Sequence, residues 1–130
     1  MRIHRAHTIL YVEDQERSRD FYSRVLMTKP VLDVPGMTEF LLGGPAVLGL
    51  MPNKGIKKLL GDVIVDPETG SGVPRAELYL VVEDPTIMFE RAVKEGAKEL
   101  SPFEMRDWGD RVAYVQDFDG HIIAFAQSKK

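Results

Sequence analysis

Residues 7–22 (HTILYVEDQERSRDFY) and 77–92 (ELYLVVEDPTIMFERA) are two versions of one pattern. Each opens with alternating residues, passes through Val-Glu-Asp and turns helical. His7 matches Glu77 and Tyr11 matches Val81, an offset of 70 residues. Chance can align three residues. Aligning them at the same strand-to-helix junction in each half of the chain is a stronger constraint, and it implies a repeated supersecondary unit.

The junctions have a physical logic. Asp14 and Asp84 are suited to cap a helix, because a carboxylate accepts the unpaired N–H groups of the first turn. Pro85 then falls at the first helical position, where its missing N–H costs nothing. In the first helix Ser18, Phe21, Tyr22, Val25 and Leu26 recur at helical spacing on one face. Ile87, Met88, Ala92 and Val93 are expected to do the same in the second, and Gly96 to stop it.

Three short strands are expected after each helix. After the first they cover 29–34, 38–42 and 46–51, broken by Pro35-Gly36 and Gly43-Gly44-Pro45. After the second they cover 98–103, 111–116 and 121–126, broken by Trp108-Gly109 and the run 117–120. Each half is then a β-α-β-β-β unit, at about 5–51 and 75–127. The expected fold class is α+β: two such modules in one domain, residues 1–130, forming curved mixed sheets around a trough. The linker 52–74 is expected to cover a site, since segments this long usually do so or move. It holds a helical turn at 56–60.

Composition narrows the function classes. A net charge of −3 offers no basic stripe for nucleic acid. No apolar run is long enough to span a membrane, and MRIHRAHTILYV has no signal-peptide pattern. The absence of cysteine excludes disulfide scaffolds, thiolate metal sites and cysteine nucleophiles. A cytoplasmic location is expected.

Side chains alternate along a strand. Thr8, Leu10 and Val12 share one face of the first strand, and His7, Ile9 and Tyr11 the other. Leu78, Leu80 and Val82 similarly oppose Glu77, Tyr79 and Val81. The uniformly apolar sets are expected to face the helices. The mixed sets are expected to line the trough, where apolar and polar groups together make a binding site.

The paired units, the H-x-x-L-x-V-x-D…FY opening and the D-x-D-G-H-x-I ending (117–123) resemble the vicinal oxygen chelate superfamily. That group includes glyoxalase I, extradiol dioxygenases and the fosfomycin- and bleomycin-resistance proteins. The resemblance covers about residues 5–127 and is specific for the fold rather than the reaction. In metal-dependent members the ligands come from the first and last strands of each unit. By that resemblance His7 and Glu77 match ligand positions, whereas Gly49 and Ala124 stand where the other two would be and carry no donor.

His7 and Glu77 are the candidate catalytic pair, or two ligands of an incomplete metal site; the alternative is a hydrogen-bonded or ion-paired structural pair. Catalytic zinc keeps about three protein ligands, so two are too few unless another group supplies the rest. Tyr11, Tyr79, Met51 and Trp108 are candidate ligand-binding residues, with the two tyrosines placed to stack on a planar molecule. Amphipathic lining and subunit packing are the plainer alternatives. His121 is expected to turn outward as a solvated turn residue, and His4 to lie on the surface. Lys54, Lys57 and Lys58 read as a solvated helix face rather than an anion site. Arg106 and Arg111 either bind a carboxylate or pair with Asp107 and Asp110. Gly43-Gly44 reads as a hairpin turn, not a phosphate loop.

The resulting expectation is a small-molecule-binding protein of the glyoxalase/bleomycin-resistance type, a homodimer without metal or other cofactor. The alternative is a metal-dependent lyase or isomerase resembling glyoxalase I, or a related dioxygenase, using zinc, nickel, manganese or iron. Metal-free acid–base catalysis by Glu77 with His7 also stays open.

Overall fold

The structure is a computed structural model and describes residues 1–128. Its elements run β1 (Ala6–Val12), α1 (Gln15–Leu26), β2 (Leu32–Val34), β3 (Met37–Gly43), β4 (Ala46–Pro52) and α2 (Asn53–Leu60). Two short 3₁₀ turns, Gly61–Val63 and Pro67–Gly70, lead to β5 (Glu77–Val81), α3 (Pro85–Lys94), β6 (Lys98–Met105), β7 (Arg111–Gln116) and β8 (Ile122–Gln127). The order β-α-β-β-β therefore occurs twice.

Each repeat makes its own four-stranded sheet, ordered β1-β4-β3-β2 and β5-β8-β7-β6. The first and last strands of each repeat pair in parallel, and the other neighbours are antiparallel, so both sheets are mixed. Their registers match: Ile9 pairs with Gly49 as Tyr79 pairs with Ala124, and Tyr11 with Met51 as Val81 with Ala126. The chain divides into two compact units, one of Met1–Ser23 with Met27–Ser71, the other of Arg24–Leu26 with Gly72 onward.

In the first unit Leu10, Val12, Phe40, Leu48 and Leu50 are fully buried, while Ile9 and Leu41 on the other face are exposed. The alternation read from sequence thus sorts the two faces. Asp14 Oδ1 accepts from Arg17 N–H at 3.0 Å, which caps α1. Gln15 ties the start of α1 to the β2–β3 hairpin through Val34 O, Thr38 Oγ1 and Gly36 N–H. β2 is shorter than expected. Pro30 has no N–H for the ladder, so pairing starts only where Val31 N–H reaches Glu39 O.

In the second unit Asp84 Oδ1 accepts from Ile87 N–H, with Pro85 at the start of α3 as expected. α3 lies on β6, β7 and β8. Its inner face is Pro85, Met88, Phe89 and Ala92, whereas Ile87 (50% exposed) and Val93 point outward. The face differs from the expected one because Phe89, rather than Ile87, packs on the sheet. β6 extends to Met105, with register shifts around Ser101 that accommodate Pro102 on an edge strand. α2 begins at Asn53, three residues before the expected turn, because Pro52 takes the extended cap conformation there.

Both long helices close alike. Thr28 N–H reaches Ser23 O and Ala97 N–H reaches Ala92 O, each just past a left-handed residue, Met27 and Gly96. Among the described residues no helix is long and apolar enough to cross a membrane.

Candidate functional site

In the first unit His7, Ile9 and Tyr11 on β1, Gly49 and Met51 on β4, and Glu39 on β3 share one face, as the pairing registers require. His7 Nδ1 lies 3.3 Å from Glu39 Oε2, across the intervening β4. Glu39 was missed by sequence reasoning, although the alternation Met37, Glu39, Leu41 places one carboxylate on this face. A Cβ added at Gly49 would lie 2.9 Å from Ile9 Cγ1 and 3.3 Å from Met37 Sδ. The space above Gly49 is therefore already taken by apolar side chains. Tyr11 and Met51 are register partners and stand side by side.

In the second unit the corresponding face carries Glu77 and Tyr79 on β5, Ala124 on β8 and Tyr114 on β7. Tyr79, Ala124 and Tyr114 form one row across the sheet. Ala124 is 0% exposed, since Tyr79 and Tyr114 pack against the cluster it forms with Val112 and Ala126. The Tyr79 hydroxyl donates to Asp110 Oδ2 at 2.6 Å and accepts from Trp108 Nε1 at 2.9 Å. Two of the expected ligand-binding residues are thus brought together, with Asp110 as an unforeseen third. Burial and then the Asp110 carboxylate push the Tyr79 phenol above its ordinary range, against the Trp108 bond. Tyr114 is raised too, by burial and then by the Glu77 charge, against Arg106.

Arg106 belongs to the β6–β7 hairpin rather than to an aspartate. Its guanidinium donates to Ser101 Oγ, Pro102 O and Val112 O, pairs with Glu104, and lies 5.1 Å over the Tyr114 ring. Arg111 lies 6.0 Å over Phe103. Lys57 bonds to Gly61 O and Ile64 O, which secures the linker.

His121 corrects an expectation: it is buried, not solvated. Its N–H and that of Asp119 both bond to Asp117 Oδ1, which folds the turn. The segment at Gly72–Arg75 lies directly on that turn: Gly72 N–H reaches Asp119 O, and Arg75 Nη2 reaches Asp119 O and lies 3.5 Å from His121 Nε2. Two glycines, 72 and 120, permit this approach, and no periodicity in sequence announces it.

The donor set does not fit a protein-held divalent metal within either unit. Gly49 and Ala124 supply no ligand atom, the space over each is filled, and His7 is already engaged with Glu39. Among the described residues no three His, Asp or Glu side chains gather closely enough to hold one. A separate depression of about 880 Å³ lies at the start of α1, lined by charged residues including Glu16, Arg19, Asp33 and Lys54. Arg19 and Asp33 there are paired with each other, and none of His7, Glu77, Tyr11, Tyr79, Met51 and Trp108 lines it.

A glyoxalase-like domain model matches residues 6–130 of this repeat-built chain. The chain belongs to the glyoxalase-like family. It falls with that family in the vicinal oxygen chelate superfamily. Uncharacterized proteins of Mycobacterium bovis and Mycobacterium tuberculosis are 29% identical to it over 121 residues, which is 91% of this chain and 79% and 71% of theirs. A crystal structure of a glyoxalase-related enzyme from Fulvimarina pelagi is 26% identical, with a TM-score of 0.78, covering 95% of this chain and 86% of that one. A glyoxalase/bleomycin resistance protein/dioxygenase from Nocardioides, 20% identical with a TM-score of 0.75 over 98% of this chain and 85% of its own, shares the fold. In this glyoxalase-like chain Gly49 and Ala124 are buried in the packed sheet faces.

Proposed function

We propose that this glyoxalase-like protein binds an organic small molecule and does so without a catalytic metal. The observation that carries the reading is the row Tyr79–Ala124–Tyr114 with Trp108 fixed to the Tyr79 hydroxyl. An aromatic surface with its polar groups held in fixed orientation suits a planar ligand, and Ala124, buried beneath the two tyrosines, offers no donor to a metal. His7 and Glu39 form a second polar group, within the first unit, that can accept or donate a proton to a bound molecule. Two donors keep in view a second reading, a lyase in which a bound substrate completes a metal's coordination sphere.

A homodimer in the cytoplasm belongs to the leading reading. Apolar side chains left exposed on α3 and at the end of β5 support self-association. A monomer in sedimentation at micromolar concentration contradicts that part. The ligand itself is sought by native mass spectrometry of protein purified without chelator. A bound organic mass that is released on denaturation, and whose addition back shifts Trp108 emission, supports the proposal. A metal adduct with no organic mass overturns it.

A further inference from the structure

Resting on that reading, we infer that the second unit selects a planar aromatic molecule bearing a protonated amine, with the amine held by Glu77 and Tyr114. The argument starts from the register. Glu77, Ile122 and Gln116 form one row of the sheet, and Tyr79, Ala124 and Tyr114 form the next. Rows on one face lie two residues apart, about 7 Å along the strands. Glu77 and Trp108 therefore sit toward opposite ends of the tyrosine face. Trp108 is in the β6–β7 hairpin beyond Val112 and Ala126, and Glu77 is at the start of β5.

The polar groups at the two ends differ in what they still need. At the hairpin end Tyr79, Trp108 and Asp110 satisfy one another. At the other end the Glu77 carboxylate is exposed, and neither it nor the Tyr114 hydroxyl has a hydrogen-bond partner among the described residues. The two stand on one face in adjacent rows across β8, the same diagonal by which His7 reaches Glu39 across β4, and the Glu77 charge raises Tyr114 in keeping with that placement. A carboxylate accepts hydrogen bonds only, and a phenol oxygen accepts as well as donates. A group with several donors and a positive charge meets both, which describes an ammonium. An anionic group would face the Glu77 charge, and Arg106, the cation that lies over the Tyr114 ring, has its donors committed to the hairpin carbonyls and Glu104. The aromatic part of the molecule then lies along Tyr114 and Tyr79 toward the exposed indole of Trp108.

The test compares three probes of one shape: 2-naphthylmethylamine, 2-naphthalenemethanol and 2-naphthoate. Each is titrated into the full chain by calorimetry and by amide NMR. The amine is expected to bind about tenfold more tightly than the alcohol, and the carboxylate most weakly. Amide shifts are expected in 77–79, 106–110 and 112–116. Glu77→Gln is expected to bring amine binding down to the level of the alcohol, and Tyr114→Phe to reduce it in part. Unfolding curves of both variants check that they fold. Equal binding of amine and alcohol, with no effect of Glu77→Gln, overturns the amine assignment and leaves aromatic binding standing. Absence of binding by all three probes overturns the assignment together with the aromatic surface on which it rests.

Discussion

Replacing Tyr79 with phenylalanine removes a single oxygen and with it two hydrogen bonds, to Asp110 and from Trp108. The first has a charged acceptor, a type that contributes about 1.5–3 kcal/mol. Asp110 is only half-buried and regains water, which argues for the lower end. The second is neutral, and the Trp108 side chain is 60% exposed, so its loss costs about 0.5 kcal/mol. The total is about 2 kcal/mol, which for a chain of 130 residues lowers Tm by about 5–8 °C. Trp108 is the sole tryptophan, so its emission should shift toward that of a freely solvated indole. Thermal unfolding followed by circular dichroism, with an emission spectrum of each folded protein, measures both. An unchanged Tm and an unchanged spectrum refute the claim that this hydroxyl holds the loop.

Alkaline pH provides a related test. Tyr79 and Tyr114 have phenol pKa values raised on folding, so the stability they contribute is present below the unfolded value near 10 and is lost as pH rises through the folded values. Chemical unfolding across that range should show a steeper loss for wild type than for the variant Tyr79→Phe. Met27 sits at φ 53° at the end of α1 and is largely exposed. Met27→Gly should therefore stabilise by about 0.5–1 kcal/mol in a denaturant titration. Gly120 has φ 94°, and a Cβ there would lie 2.5 Å from the Gly72 carbonyl carbon. Gly120→Ala should cost about 3 kcal/mol or more by the same titration, through backbone strain and displacement of the Gly72 segment.

The order of elements along the chain was legible because the repeat places Val-Glu-Asp at both strand-to-helix junctions, and the caps at Asp14 and Asp84 form as their chemistry requires. The sorting of faces followed from strict alternation in β1 and β5. The turn of α3 was not legible, since Ile87 and Phe89 are both apolar and only packing on the sheet selects between them. The site was legible in part. Tyr79 and Trp108, both candidates from sequence, are hydrogen-bonded to each other, whereas Glu39 and Tyr114, which occupy equivalent registers of the two sheets, carry no signal in the motifs. They lie on the third strand of each repeat, and attention to first and last strands passes over them. His121 escaped because its burial depends on a distant glycine contact rather than on its own strand.

The central proposal, a binding surface that operates without a metal, is tested most directly by titration calorimetry of the wild-type protein with zinc, nickel, manganese and iron(II). Gly49 and Ala124 supply no donor, and His7 has Glu39 as its partner. The expected result is no stoichiometric binding in the submicromolar range. Submicromolar binding of one ion per chain that disappears in His7→Ala would contradict the proposal and favour the lyase reading.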